Sequence, residues 1–280
     1  MIRPGQSRLQ HSPIHGHVDA AQFHPCPPHE EALARLHYVA EQHLRLGVLL
    51  GNSGSGKSML LAKLVSDLAG AGRHIVSVSL LGRDSQELLF EIAEKLGCNP
   101  AATANTMTLW RAITDRLKTH KYQQEDTVFL FDDAHEASAE TLSTICRLAD
   151  TDATEEARLT IIMAAQSDST ARLPRRLLDR TALRIDVEPW EQEDTLEFLA
   201  HVVEQLRRLD GATSDDELLP SEVFTGKAVQ TLHQLSGGLP RRVTQLAQWA
   251  LLAGAGLGLE QVNDEVVTSA AEELGVQSLV

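Results

Sequence analysis

Eight consecutive residues constrain this chain more than any others. Gly51-Asn52-Ser53-Gly54-Ser55-Gly56-Lys57-Ser58 fits the pattern GxxxxGK[ST] without a gap. The nearly continuous apolar run Leu46–Leu50 enters it, and a stripe of Leu60, Leu61, Leu64, Val65 and Leu68 at helical spacing leaves it. A strand, a glycine-rich turn and a helix in that order point successive backbone N–H groups at an anion. The helix N-terminus adds positive potential there. In this arrangement Lys57 bridges the β- and γ-phosphates of a nucleotide, and Ser58 ligates Mg²⁺. The competing reading is a glycine turn that binds nothing; a strand and a helix on its two sides argue against it.

Four further apolar runs follow: Ile75–Leu80, Val128–Phe131, Leu159–Ala165 and Leu183–Val187. The first, third and fourth of the five runs are nearly unbroken, as strands buried on both faces are in parallel sheets. Leu183, Ile185 and Val187 alternate with Arg184 and Asp186, which suits an edge strand. Helical stripes lie between the runs, for example Leu88, Leu89, Ile92 and Leu96. This alternation predicts a parallel sheet with helices on both faces. After Pro189 only helical patterns remain: Leu196, Leu199, Val203 and Leu206; Val229, Leu232 and Leu235, ended by Gly237 and Gly238; and Val243, Leu246, Trp249 and Ala250. Asn263 is the predicted N-cap of a last helix, with Val262 and Val267 as a hydrophobic staple. The expected division is an irregular arm over 1–28, an α/β core over 29–188 and a helical domain over 189–280, with an acidic loop from Asp210 to Glu217.

The run Val128-Phe129-Leu130-Phe131 ends in Asp132-Asp133, some 75 residues after the glycine loop. An apolar strand closing on two acids is what Mg²⁺ and water activation require. Asp132 would hold the ion through a water, and Asp133 would orient the attacking water. A helix cap is the plainer reading of such acids, weakened here by the glycine loop upstream in the same sheet.

Composition excludes several classes. With 42% hydrophobic and 23% charged residues the 280-residue chain is not wholly disordered. Its length suits one α/β domain with a smaller appendage. The longest apolar stretch of note, Leu246 to Leu259, is broken by Gln248, Gly254, Gly256 and Gly258, far short of the roughly 18 residues of a bilayer span. The N-terminal residues lack the apolar core of a signal peptide. Lys and Arg number 25 against 39 Asp and Glu, a net charge of −14, which repels phosphate backbones at long range. Nucleic acid binding would need a local patch such as Arg172, Arg175, Arg176 and Arg180. Cys26, Cys98 and Cys146 stand far apart without a CxxC, consistent with a reducing cytoplasm.

The order and spacing of several segments bring a family into view. His29-Glu30-Glu31-Ala32-Leu33-Ala34-Arg35-Leu36, the glycine loop, Asp132-Asp133-Ala134-His135, Ala165-Gln166-Ser167 and Leu235-Ser236-Gly237-Gly238-Leu239-Pro240-Arg241 together resemble the AAA+ ATPases of the general secretion pathway protein A type, a group close to bacterial transposition ATPases. The resemblance covers residues 29 to about 275. It implies a three-layer αβα P-loop NTPase core, a parallel five-stranded sheet of order 5-1-4-3-2 and a C-terminal helical lid. It implies ATP and Mg²⁺ as ligands, with hydrolysis driving conformational change in a homo-oligomer that acts on a protein partner. Gln166 matches the sensor-1 position and Arg241 the sensor-2 position at the start of a lid helix. Arg180 matches the region of an arginine finger that completes a neighbour's site, with Arg175 and Arg176 as competitors and a surface ion pair as the plain alternative. The family usually carries Glu where this chain has Asp133. The shorter side chain withdraws the carboxylate by roughly 1.5 Å, and a misplacement of that size costs ~10²-fold in rate, so slow hydrolysis is expected. Secretion members often continue into a membrane helix and a periplasmic cell-wall-binding domain, which these 280 residues do not include. Two other settings compete with assembly of a secretion apparatus: an ATP-dependent DNA-bound regulator of a transposase, and a nucleotide switch that hardly hydrolyses.

The remaining features read as structural. His11, His15, His17 and His24 suit a solvated tail more than a metal site. Trp110 and Trp249 are expected in the core. The acids from Asp186 to Glu197 are expected as a solvated face, with a partner surface as the alternative.

Overall fold

The computed structural model describes residues 20–69, 72–152, 157–209 and 220–275. His11, His15 and His17 and the acidic stretch from Asp210 to Glu217 lie outside the described residues. The elements run α1 (Pro27–Glu41), β1 (Leu46–Gly51), α2 (Lys57–Leu68), β2 (His74–Ser79), α3 (Ser85–Lys95), α4 (Thr106–Gln123), β3 (Thr127–Asp132), α5 (Ala139–Ala149), β4 (Leu159–Gln166), α6 (Arg175–Leu178) and β5 (Leu183–Val187). Helices α7 (Gln192–Leu209), α8 (Pro220–Val223), α9 (Gly226–Ser236), α10 (Pro240–Gly256) and α11 (Asp264–Glu273) follow.

The five strands pair in parallel in the order β2-β3-β4-β1-β5, which is 5-1-4-3-2 read from the other edge. Pattern explains position. Every residue of β1 is buried, as is every residue of β3 and β4 except the last of each, and these strands take the centre. Strands β2 and β5 alternate buried and exposed residues and take the edges. One face of the sheet packs Val48, Phe129, Phe131 and Met163 against α3, α4 and α5 through Leu88, Leu89, Ile92, Leu109, Ile113 and Ile145. The other packs Leu49, Leu130 and Ile162 against α1 and α2 through Leu36, Leu60 and Leu64. Each such side chain taken from water contributes ~1.5–3 kcal/mol, so the two sandwiched layers fix the sheet that carries the site.

Helices α7, α9, α10 and α11 enclose an apolar core of their own around Leu199, Leu232, Val243, Leu246 and Val267. Asn263 caps α11 by accepting from Val266 N at 3.0 Å, and Val262 and Val267 are both buried, as the staple reading requires. Cys26, just before α1, is buried in this helical core, so the N-terminal segment docks there. Helix α1 begins at Pro27, two residues before the start read from the sequence. Three expectations fail locally. Leu196 is exposed, because α7 turns Thr195, Leu199, Val202 and Val203 inward instead. Trp249 is 42% exposed, because Leu246, Ala247 and Ala250 fill the buried face of α10. Asp194 is not on a solvated face; it is buried and accepts from Glu191 N at 2.8 Å at the start of α7. Trp110 is buried as expected, with the Arg147 guanidinium 4.2 Å from its ring centroid.

Candidate nucleotide site

The glycine loop lies between β1 and α2, at the C-terminal end of a central strand. Its backbone bends where glycine is needed. Gly54 and Gly56 have φ of 82° and 93°, a region costly for other residues. A Cβ at Gly56 would also lie 2.8 Å from His29 Nε2, and one at Gly51 would lie 2.4 Å from Ser55 Oγ. His29 is buried on α1, and its Nε2–H donates to Ser55 O at 2.8 Å, which braces the loop from behind. Burial holds its pKa below the usual histidine value, so the brace is a neutral imidazole.

Lys57 is the first residue of α2. Its ammonium donates to Gly51 O and Asn52 O, both at 2.9 Å. Burial lowers its pKa, Asp132 and Asp133 oppose that shift, and Arg241 adds to it. The lysine, the two carboxylates and the arginine therefore lie within electrostatic reach of one another. Asp132 ends β3 and Gln166 ends β4, where it pairs in register with Gly51. Asp133 has a φ of 55°, which Asp tolerates better than most residues. Ser79 Oγ, from the end of β2, donates to Asp133 Oδ2 at 3.1 Å, and Asp133 N donates to Asp132 Oδ1 at 2.8 Å.

From the helical side, Arg241 N donates to Gly54 O at 3.2 Å, which fixes the start of α10 on the loop. A Cβ at Gly54 would come within 3.0 Å of Arg241 Cβ, so the two segments meet with no space for a side chain. The turn before α10 is itself anchored: Trp190 N donates to Gly238 O at 2.8 Å.

These groups share one cavity of about 550 Å³. Ser53, Gly54, Gly56, Lys57, Ser58, Asp132, Asp133, Gln166 and Arg241 all line it. Gly51, which ends β1, and Asn52 and Ser55 of the turn are not among its lining residues. Arg180 is elsewhere: its guanidinium makes a bidentate pair with Asp150, both bonds at 2.8 Å, and a third bond to Arg176 O at 2.7 Å.

The cavity wall away from the phosphate loop is aromatic and was missed from sequence. His24, Trp190, Phe198, His201 and Trp249 line it. The His24 ring lies 5.5 Å from that of Phe198 and 5.1 Å from that of His201. Burial, then the neighbouring imidazoles of His201 and His29, push the His24 pKa down to about 4, with Asp194 opposing. His24 thus belongs to this wall. The signal that was available is the run of His, Trp and Phe on the 190–201 helix start, which periodicity alone reads as core.

A parallel sheet in this order, with the glycine loop after β1 and the acids at the end of β3, across β4 from it, is the core of a P-loop NTPase. Residues 40–173 match the AAA domain family. Over more of its length the chain is similar to General secretion pathway protein A of Aeromonas hydrophila, at 27% identity over 252 residues, which cover 88% of this chain. The match spans 44% of that protein, less than half of its length. Among solved structures the fold is similar to Cdc6p from Pyrobaculum aerophilum (TM-score 0.66, 18% identity, 92% of this chain and 69% of that one). It is also similar to the ORC1 protein of Aeropyrum pernix, solved in complex with DNA (TM-score 0.61, 18% identity, 89% and 66%). Among the described residues no helix is long and apolar enough to cross a membrane.

Proposed function

We propose that this protein binds ATP with Mg²⁺ and hydrolyses it to drive assembly or remodelling of a protein complex, as a cytoplasmic counterpart of general secretion pathway protein A. The observation that carries the reading is convergence: Lys57, Ser58, Asp132, Asp133, Gln166 and Arg241 come from four separate elements and the turn after β3, and they line one cavity. Residues 29–188 act as the ATPase core and 189–280 as the lid. The backbone N–H groups of residues 51–58 cradle the phosphates, and Lys57 exchanges its two carbonyl partners for phosphate oxygens. The hydroxyl of Ser58 and the carboxylate of Asp132 are the hard oxygen donors that suit Mg²⁺, which when bound neutralises phosphate charge. Asp133, held by Ser79, accepts a proton from the attacking water and orients it; Gln166 positions that water from the adjacent strand. Arg241 reaches the phosphates from the lid. The aromatic wall receives the base by stacking, each ring contributing area and geometry.

Arg180 completes a neighbouring subunit's site in this reading. Its pairing with Asp150 within the chain means that it must be released on assembly. A finger contributes ~10³-fold or more in other phosphoryl-transfer systems. The test is turnover by Lys57→Ala, by Arg180→Ala and by their mixture, together with ATP affinity. Lys57→Ala is expected to lose ATP binding, Arg180→Ala to bind ATP without turnover, and the mixture to regain part of the activity. Parent-like ATP affinity in Lys57→Ala sinks the nucleotide reading. An inactive mixture, with activity per chain independent of concentration, sinks the shared site.

A further inference from the structure

At the end of the sheet away from the nucleotide cavity, three side chains with metal-ligating atoms meet. His74 opens β2, His120 lies in the last turn of α4, and Glu125 stands in the turn that leads into β3. Their donor atoms all lie within 4.8 Å of one another. His74 Nε2 is 2.8 Å from Glu125 Oε2. His120 Nδ1 is 2.9 Å from Thr127 Oγ1, which leaves Nε2 as its ligand atom. The two imidazoles stack, with centroids 3.7 Å apart and planes 9° from parallel. Ser79, at the other end of β2, pairs with Asp132, so five strand steps of ~3.3 Å, or ~17 Å, separate this cluster from the nucleotide site.

The chemistry of the trio fits a cation softer than Mg²⁺. His120 is 3% exposed and is held through Nδ1 by Thr127 Oγ1, so the ring is fixed in place with Nε2 left for a ligand. Two imidazole nitrogens and one carboxylate oxygen are a donor set for borderline dications, which leaves a fourth position for water. With an ion on Nε2 of His120, its Nδ1–H donates to Thr127 Oγ1 and fixes the ring, as outer partners of metal-bound histidines do. Lone pairs lie in the ring planes, so the stack must open for both rings to face one ion. His74 and Glu125 are free to turn, their side chains being 42% and 40% exposed.

We propose that His74, His120 and Glu125 bind a divalent transition-metal ion of the Zn²⁺ class, which pins edge strand β2 to the end of α4 and the turn before β3. The test uses the full chain with His11, His15 and His17 changed to Gln, so that the N-terminal donors do not compete. Co²⁺ titration followed by its visible absorption reports geometry, and competition with a chromophoric chelator reports Zn²⁺ affinity. The expected result is one ion per chain, not displaced by excess Mg²⁺. His74→Gln and Glu125→Gln should each weaken Zn²⁺ binding by more than ~10-fold while keeping the far-UV circular dichroism of the parent. His120→Gln should abolish it. If the parent takes up no ion, or if His74→Gln and Glu125→Gln bind Zn²⁺ with parent stoichiometry and affinity, the cluster is a stacked pair with an ion pair, and the proposal is wrong.

Discussion

Two glycines of the helical group, one before α10 and one after it, separate a backbone requirement from a packing requirement. Gly238 and Gly258 have nearly the same φ, 67° and 69°. An alanine at either meets the left-handed cost of ~1–2 kcal/mol. Around Gly258 nothing lies within 4 Å of an added Cβ, so for Gly258→Ala that is the whole effect. At Gly238 the Cβ would come within 2.2 Å of Trp190 O and 3.1 Å of Trp190 N. Both are backbone atoms that cannot swing away, so the turn must shift and the bond from Trp190 N to Gly238 O must lengthen. Overpacking of that kind adds ~1–3 kcal/mol. Gly238→Ala should therefore cost about twice what Gly258→Ala costs, roughly 2–5 kcal/mol. With ~2–4 °C per kcal/mol for chains approaching this size, its Tm should fall by at least ~4 °C. There is also a functional consequence. Gly238 lies three residues before Arg241, whose N–H holds the glycine loop. Gly238→Ala should weaken ATP affinity, and Gly258→Ala should leave it unchanged. Differential scanning calorimetry and equilibrium nucleotide titration on both variants decide the matter. Equal Tm losses, or parent affinity in Gly238→Ala, would refute the argument that this turn sets the lid on the loop.

Two further outcomes are expected. Asp133→Asn removes the proton acceptor but keeps the shape and the Ser79 contact, so turnover should fall ~10²-fold or more with ATP affinity retained; a parent-like rate in single-turnover assays would assign water activation elsewhere. The folded-state pKa of His24 is about 4 against 6.5 in the unfolded chain. Between those values the unfolded chain takes up a proton that the folded one refuses, so stability present above pH 6.5 is lost as pH falls toward 4. His29 and His120 shift in the same direction. Thermal melts from pH 7 to 4.5 should show this decline, and His24→Gln should make it shallower; an equal slope in the variant would place the linkage on other groups.

What could be read from the sequence and what could not divide along a physical line. The loop from Gly51 to Ser58 was legible because its chemistry needs fixed residue types at fixed spacing, between a strand and a helix. Asp132 and Asp133 stood out only because the apolar run that they close follows a glycine loop in the same sheet; alone, acids after a strand read as readily as a helix cap. The central strands declared themselves by being apolar throughout, and their order came from family resemblance. Trp249 was misread because periodicity marks a face without saying which neighbour covers it: its helix buries Leu246, Ala247 and Ala250 and turns the indole toward the cavity. Asp194 was misread because an acid near a helix start is a cap as readily as a surface charge, and only the fold shows Glu191 N pointing at it.

The same line runs through the cavity. Its phosphate half is built from strand ends, where the sheet register itself aligns Gly51 with Gln166 and Ser79 with Asp132. That half is as rigid as the sheet. The opposite half draws Gln22 and His24 from the N-terminal segment, Trp190 and Phe198 from the entry to α7, and Trp249 from α10. These segments are distant in sequence and are held together by the helical core, by Cys26 docked in it and by the two backbone bonds at Gly238 and Gly54. Any change in how the helical group sits on the sheet therefore moves the aromatic wall and Arg241, while the strand ends that carry Gly51, Asp132 and Gln166 stay with the sheet. In the proposed reading, a nucleotide that touched both halves would be sensitive to that placement, and its hydrolysis would have a direct structural route to moving the helical group.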